Sequence, residues 1–209
     1  MPTEVEAKFL AEPEAMRALA GATRLGAAEL GPLRSVDEID RYLDTADGRL
    51  AAVRWACRLR QRGDRWSVSL KGPKEADAGS PAWLHARPEL EGAASAAPEP
   101  GTWPASVARD RLVSMSGDEP LVERLRLVQR RGERHLSLDE QPIGTLSLDE
   151  VDVHGPDGMA GSFGAVELEL AADGRRQALD DVARAMAEVP GLVPDPLSKL
   201  EHALALLRR

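Results

Sequence analysis

Residues 4–9 read Glu4-Val5-Glu6-Ala7-Lys8-Phe9, and their alternation predicts a strand. Successive side chains of a strand point to opposite faces. Glu4, Glu6 and Lys8 therefore share one face, and Val5, Ala7 and Phe9 the other. Taken alone, this is an ordinary half-exposed strand of an antiparallel sheet. The same design recurs along the chain, with the charge sorted strand by strand. Arg58 and Arg60 alternate with Cys57 and Leu59, and Ser67, Ser69 and Lys71 alternate with Trp66, Val68 and Leu70. His85, Arg87, Glu89 and Glu91 share one parity, and Arg124 and Arg126 alternate with Leu125 and Leu127. Ser147 and Asp149 alternate with Leu146 and Leu148, and Glu167 and Glu169 with Val166, Leu168 and Leu170. Like charges two residues apart on a strand repel, so an opposing partner or a ligand should offset them. Strands of opposite sign around a shared space supply both a cation site and an anion site. That arrangement suits a metal-bound polyanion better than plain solvent exposure.

The 209 residues are enough for one sizeable core, and we expect a single domain over residues 1–209. With 3% aromatic residues, that core must be built from Leu, Val and Ala. A formal net charge of −8 argues against a general nucleic-acid binder, although a local basic channel remains compatible with 27 Lys and Arg. A single cysteine, Cys57, precludes an intrachain disulfide and agrees with a reducing, cytoplasmic compartment. Its parity with Trp55 and Leu59 makes it a buried filler. No apolar run reaches membrane-spanning length, so neither a membrane nor a nucleic-acid partner is expected.

Coarse patterning predicts helices over 11–20, 104–115, 175–188 and 197–207. Strands are predicted over 54–62, 65–71, 83–91, 121–130, 135–139, 143–153 and 165–170, with a segment 37–43 leading into a turn at Asp47-Gly48. Lys74 to Pro81 reads as a mobile loop, Gln141-Pro142 as a turn, and 154–162 as a glycine-rich loop. Strands joined by short turns with helices between them indicate an α+β antiparallel architecture. A closed barrel would turn the charged face inward and let helices cover the apolar face.

The chemistry of the charged set follows from its donors. Glu4, Glu6, Asp149, Glu167 and Glu169 are hard oxygen donors suited to Mg²⁺ or Mn²⁺. Zinc fits poorly, with no thiolate pair and only scattered histidines. Lys8, Arg58, Arg60, Lys71, Arg87, Arg124 and Arg126 form a matching cationic set, in which guanidiniums would bind phosphate oxygens in pairs. Glu89 and Glu91 serve equally to hold basic residues in place. Arg54 and Arg62 share the parity of Arg58 but lie towards strand ends, and are left out. There is no GxxxxGK[ST] loop, no G-x-S-x-G elbow and no H-E-x-x-H.

The opening Glu4 to Lys8 resembles the ExExK signature of the CYTH family, the triphosphate tunnel metalloenzymes. The likeness continues through Tyr42-Leu43-Asp44-Thr45-Ala46-Asp47, Arg58-Leu59-Arg60, Ser69-Leu70-Lys71-Gly72-Pro73 and Arg87-Pro88-Glu89. It goes on through Leu148-Asp149-Glu150, Val166 to Leu170 and Leu197-Ser198-Lys199-Leu200, in the family's order. Ala46 stands where the family has proline, and Leu43 where it has an aromatic residue. The resemblance implies a closed antiparallel β-barrel with flanking helices. It also implies metal-dependent hydrolysis of a triphosphate, inorganic triphosphate being the leading substrate. It brings Lys199 into the substrate-binding set and implies a catalytic role for Glu4, Glu6 and Lys8, with a carboxylate orienting or deprotonating water. A thiamine or nucleoside triphosphatase, a class IV-type adenylyl cyclase and a non-catalytic polyphosphate-binding module are the alternatives. A monomer or homodimer is expected, and no room is left after Arg209 for an added helical domain.

Overall fold

The chain was analysed as a computed structural model that describes residues 2–74, 80–171 and 174–209. In chain order the elements are β1 (Thr3–Ala11), α1 (Pro13–Gly21), β2 (Arg24–Leu25), β3 (Ala28–Leu30), β4 (Arg34–Thr45), α2 (Arg49–Ala52), β5 (Ala56–Arg62) and β6 (Arg65–Lys71). They continue with β7 (Leu84–Ala93), α3 (Val107–Ser116), β8 (Leu121–Leu138), β9 (Gln141–Gly155), β10 (Gly158–Leu170), α4 (Arg176–Ala187), β11 (Leu192–Pro194) and α5 (Lys199–Leu207).

Eight long strands form an antiparallel barrel in the order β4-β5-β6-β7-β1-β10-β9-β8, closed because β8 pairs with both β9 and β4. Closure removes the exposed edges of an open sheet. The short β2–β3 hairpin adds to β8, and β11 pairs with the end of β1.

Helices cover two sectors of the outer wall. Ala7, Phe9, Leu146, Leu148, Val166 and Leu168 pack beneath Leu19 of α1 and Leu179, Val182 and Met186 of α4. Cys57, Leu59, Val68, Leu70 and Leu90 pack beneath Leu50 of α2 and Ala108 and Leu112 of α3. A third cluster lies inside the barrel. Tyr42, Leu125, Leu127, Val151 and Val153 meet Leu200, Ala203, Leu204 and Leu207 of α5, which fills one end of the lumen. Each fully buried leucine in these clusters contributes roughly 1.5–3 kcal/mol.

Several boundaries differ from the pattern-based reading for physical reasons. The two strands expected over 121–130 and 135–139 are one strand, as no turn separates them. Gly132 instead admits Leu33, whose Cδ1 would lie 2.9 Å from an added Cβ. The turn falls at Asp139-Glu140, both left-handed with φ of 50° and 62°, as a tight hairpin requires. Pro142 pairs opposite Ser137 near the start of β9. The glycine-rich segment 154–162 is mostly strand, and Gly155 is bare because a Cβ there would sit 2.3 Å from Leu207 of α5. The loop expected over Lys74–Pro81 lies largely outside the described residues.

Arg134 faces outwards and is 6% exposed. Its guanidinium donates to the carbonyls of Leu19, Ala20 and Ala22 at the end of α1, and to those of Leu30 and Gly31. It satisfies carbonyls that a helix C-terminus leaves unpaired. Among the described residues no helix is long and apolar enough to cross a membrane.

Candidate active site

Register places the charged faces around one lumen. On β1, Glu4 lies opposite Arg87 of β7, while Glu6 and Lys8 lie opposite Glu169 and Glu167 of β10. On β5, Arg58 and Arg60 lie opposite Tyr42 and Asp40 of β4 on one side, and Ser69 and Ser67 of β6 on the other. Lys71 pairs with Glu89, and Asp149 lies between Ala165 and Arg131. The cavity enclosed is lined by Glu4, Glu6, Lys8, Arg58, Arg60, Lys71, Arg87, Glu167, Glu169 and Lys199 among the residues expected from sequence. The charged lumen of the antiparallel barrel is thus the one anticipated.

The cavity's ions fall into three groups. Around β1, the Lys71 ammonium donates to both oxygens of Glu4 at 2.6 and 2.8 Å, and Arg87 reaches Glu4 at 3.2 Å and Glu6 at 3.1 Å. Burial opposes ionisation of Glu4, but Lys71, Arg87 and Lys8 hold its carboxyl well below the usual range. Beside α5, the Lys199 ammonium donates to Asp149 and Glu167, each at 2.6 Å, and Arg131 grips Asp149 at 2.7 and 2.9 Å. Lys8 donates to Glu167 at 2.5 Å. Burial works against the Glu167 carboxylate, yet Lys199, Lys8 and Arg131 keep it well below its ordinary pKa.

The third group lies along β4 and β5. Asp40 receives Arg60 at 2.7 and 2.8 Å and Gln129 at 2.9 Å. Arg58 differs from these cations. It donates to Ser69 at 3.1 Å, and its carboxylate contacts, Glu89 and Asp40, stand 3.7 and 3.8 Å away. Being half-buried yet loosely paired, it is the cation most ready for an added anion.

Lys199 is set by local structure. Ser198 caps α5, accepting from the Glu201 amide while the Glu201 carboxylate accepts from the Ser198 amide. This capping box starts the helix so that its first residue projects into the lumen. Asp44 has a comparable structural task. Its carboxylate accepts from the amides of Thr45, Leu50 and Ala51, fixing α2.

Arg124 and Arg126 are not in the lumen, which corrects their expected place in the substrate-binding set. Leu125 and Leu127 occupy the inward parity because α5 makes that end of the lumen apolar. A bulge pairs Tyr42 with Leu125 and Leu43 with Glu123, leaving Arg124 as the extra residue, donating to the Ala46 carbonyl. Arg126 pairs with Glu123 at the surface. Sequence reasoning missed Arg131, Glu38 and Asp40. Arg131 shares the parity of Leu125, Leu127 and Gln129, so its signal was a charge interrupting an apolar row.

The donor set fits a divalent metal at one end of the cavity. Although Glu169 reaches solvent, partial desolvation, followed by the charges of Glu4 and Glu6, raises its carboxyl, and among the described residues no cation pairs with it. Burial raises Glu89 to about 7, with Glu4 adding to the shift. Clustered carboxylates that repel one another are relieved by a hard cation. No three His, Cys, Asp or Glu side chains form a ready cage among the described residues. Both oxygens of Asp149 are engaged by Arg131 and Lys199, those of Glu167 by Lys8, Lys199 and Arg131, and those of Glu4 by Lys71 and Arg87, so a metal at any of the three would displace a cation.

The fold matches solved structures along nearly its whole length. A candidate adenylyl cyclase from Hippeastrum, described as having a dominant triphosphatase activity, aligns at TM-score 0.69 and 19% identity, covering 97% of this chain and 95% of that one. A candidate adenylate cyclase from Bacillus halodurans aligns at TM-score 0.65 and 20% identity, covering 97% and 98%. A Mimivirus capping-enzyme triphosphatase aligns at TM-score 0.53 and 12% identity, covering 90% and 89%. At such identities the likeness is one of fold. A comparison with curated proteins finds no match. The family model for the CYTH domain matches residues 2–204, and the chain belongs to that family.

Proposed function

We propose that the chain is a divalent-metal-dependent triphosphatase that hydrolyses inorganic triphosphate to pyrophosphate and phosphate, using Mg²⁺ or Mn²⁺. The supporting observation is the pairing, in one lumen, of a loosely committed Arg58 with the mutually repelling carboxylates Glu4, Glu6 and Glu169. Arg58, Lys8, Lys71 and Arg87 would bind the phosphate chain, exchanging carboxylate contacts for phosphate oxygens. Arg131 and Lys199 would fix the Asp149–Glu167 wall. A metal held by Glu4, Glu6 and Glu169 would supply charge neutralisation and Lewis acidity. Glu4 or Glu6 would orient water for in-line attack on the terminal phosphorus, the proton leaving to solvent as the P–O bond to pyrophosphate breaks. Positioning and charge stabilisation are the main demands of phosphoryl transfer.

Phosphate release from triphosphate, with and without each metal, tests this reading. Glu6→Gln should lower kcat by about a thousandfold or more, while preserving or strengthening metal-free triphosphate binding. Lys8→Ala should impair both. Tight binding with no turnover of any triphosphate in either metal would leave a polyphosphate-binding module instead.

A further inference from the structure

Asp195 lies between two prolines, Pro194 at the end of β11 and Pro196, shortly before Lys199. It is 4% exposed, and each of its polar groups is engaged. Its amide donates to the Lys8 carbonyl at 2.9 Å, and its carbonyl accepts from His85 Nε2 at 2.8 Å. Its carboxylate accepts from the Leu197 amide at 2.9 Å and holds His202 Nε2 at 2.8 Å from both oxygens. His202 in turn lies against Phe163 of β10, with 5.4 Å between ring centroids. One residue thus joins β1, β7 and α5, and through His202 it reaches β10.

These contacts exceed what the start of α5 requires. Ser198 and Glu201 already cap that helix. A buried carboxylate is costly unless it is hydrogen-bonded or paired, and the capping box leaves this one no amide of α5 to serve. Its bonds instead fix where α5 begins relative to β1, and hence where Lys199 sits. Lys199 holds one oxygen of Glu167 at 2.6 Å while Lys8 holds the other. With that oxygen neutralised by Lys199, Lys8 can release Glu167 and turn to a phosphate. Displacing Lys199 would leave Glu167 to Lys8 and Arg131, and Lys8 would be held more tightly.

We propose that Asp195 is a positioning residue: its carboxylate, through His202, sets Lys199 against Glu167 and so keeps Lys8 available for the phosphate chain. The role rests on the triphosphatase reading, in which Lys8 exchanges a carboxylate for phosphate oxygens. Asp195 is not among the residues that line the lumen, so the effect of its side chain must pass through Lys199. Asp195→Asn isolates that route. It keeps both backbone bonds and an oxygen for the Leu197 amide, and removes only the charge facing His202.

Initial rates with triphosphate for the wild type, Asp195→Asn, Lys199→Met and the double variant test this role. Asp195→Asn should raise the triphosphate KM about fivefold to tenfold and change kcat less than about twofold, whereas a less completely folded enzyme would lose kcat at constant KM. In the Lys199→Met background the same substitution should change KM less than about twofold, because the group it acts through is gone. Additive effects of the two substitutions, a loss of kcat alone, or an unchanged KM would overturn the proposal. Should Asp195→Asn not fold, His202→Ala removes the same pair from the helix side and takes its place in the cycle with the same expectations. If the wild type turns over no triphosphate, the triphosphatase reading fails by itself. Metal-free calorimetry then completes the cycle: a triphosphate affinity weakened by Asp195→Asn, but not in the Lys199→Met background, supports the positioning role, and equal affinities or additive losses reject it.

Discussion

The two halves of β8 bury opposite faces of one strand. From Leu125 to Arg130, past the bulge at Arg124, the apolar parity points into the barrel, where Leu125 and Leu127 lie under α5 while Arg126 and Arg130 are exposed. From Arg131 onwards the inner face is charged, and Leu136 and Arg134 turn outwards beneath α1 and β3. The helix that covers a face decides which face is dry. Alternation therefore reveals that a strand has a dry side without revealing whether that side is the inside of a closed sheet.

Leu127→Asp is the most severe way to break this contrast. It would bury a carboxylate under α5, directly opposite the Asp40 carboxylate of β4, and should cost about 4 kcal/mol or more in chemical denaturation. A loss below about 1 kcal/mol would show that the lumen is wet along its whole length.

His85 probes the border between the two regimes. It is 1% exposed, its Nε2 contacts the Asp195 carbonyl at 2.8 Å, and Lys74, Lys8 and Glu6 surround it. Burial first, and then Lys8, push its pKa down to about 4. Because the unfolded imidazole titrates near 6.5, it takes up a proton that the folded one refuses. The stabilisation is complete above pH 6.5 and is lost as pH falls towards 4. Relative to His85→Gln, the wild type should lose about 2 kcal/mol over that window, read from urea melts in chelator. Parallel pH profiles would place His85 in a wetter setting than its burial indicates.

Arg124→Ala and Arg126→Ala should do least. As outward residues with surface partners, each should change stability by less than about 0.5 kcal/mol and the triphosphate KM by less than about twofold. A tenfold rise in KM for either would return that residue to the tunnel and erase the distinction between the halves of β8.

Legibility followed the same division. β1, β10 and β5 were readable because helices cover their outer faces, so apolar residues mark the outside and charges the lumen. Arg58 and Glu167 could be found in this way. Asp40 was not legible, since Arg41 on the outer face breaks the alternation that would have marked Glu38 and Asp40 as a charged pair. α2 escaped because four residues carry no periodic signal, and its main determinant is the Asp44 carboxylate before it. Arg124 and Arg126 were misjudged because charge was taken to mark the lumen on a stretch whose apolar side faces inward, and Arg131 was missed because the predicted strand ended at Arg130.

The position of β1 has a consequence for biosynthesis. Its neighbours are β7 and β10, and the contact between Lys8 and Glu167 spans 159 residues. At 5–20 residues per second, the emerging strand waits on the order of 10–30 s for its second neighbour. Such distant pairings also make refolding slow. A nascent strand with unsatisfied amides is an invitation to aggregate, and inward-pointing charge on an edge is a known safeguard. Glu4, Glu6 and Lys8 therefore act twice: while the ribosome is still at work they keep the orphan strand soluble, and only afterwards do they meet their partners.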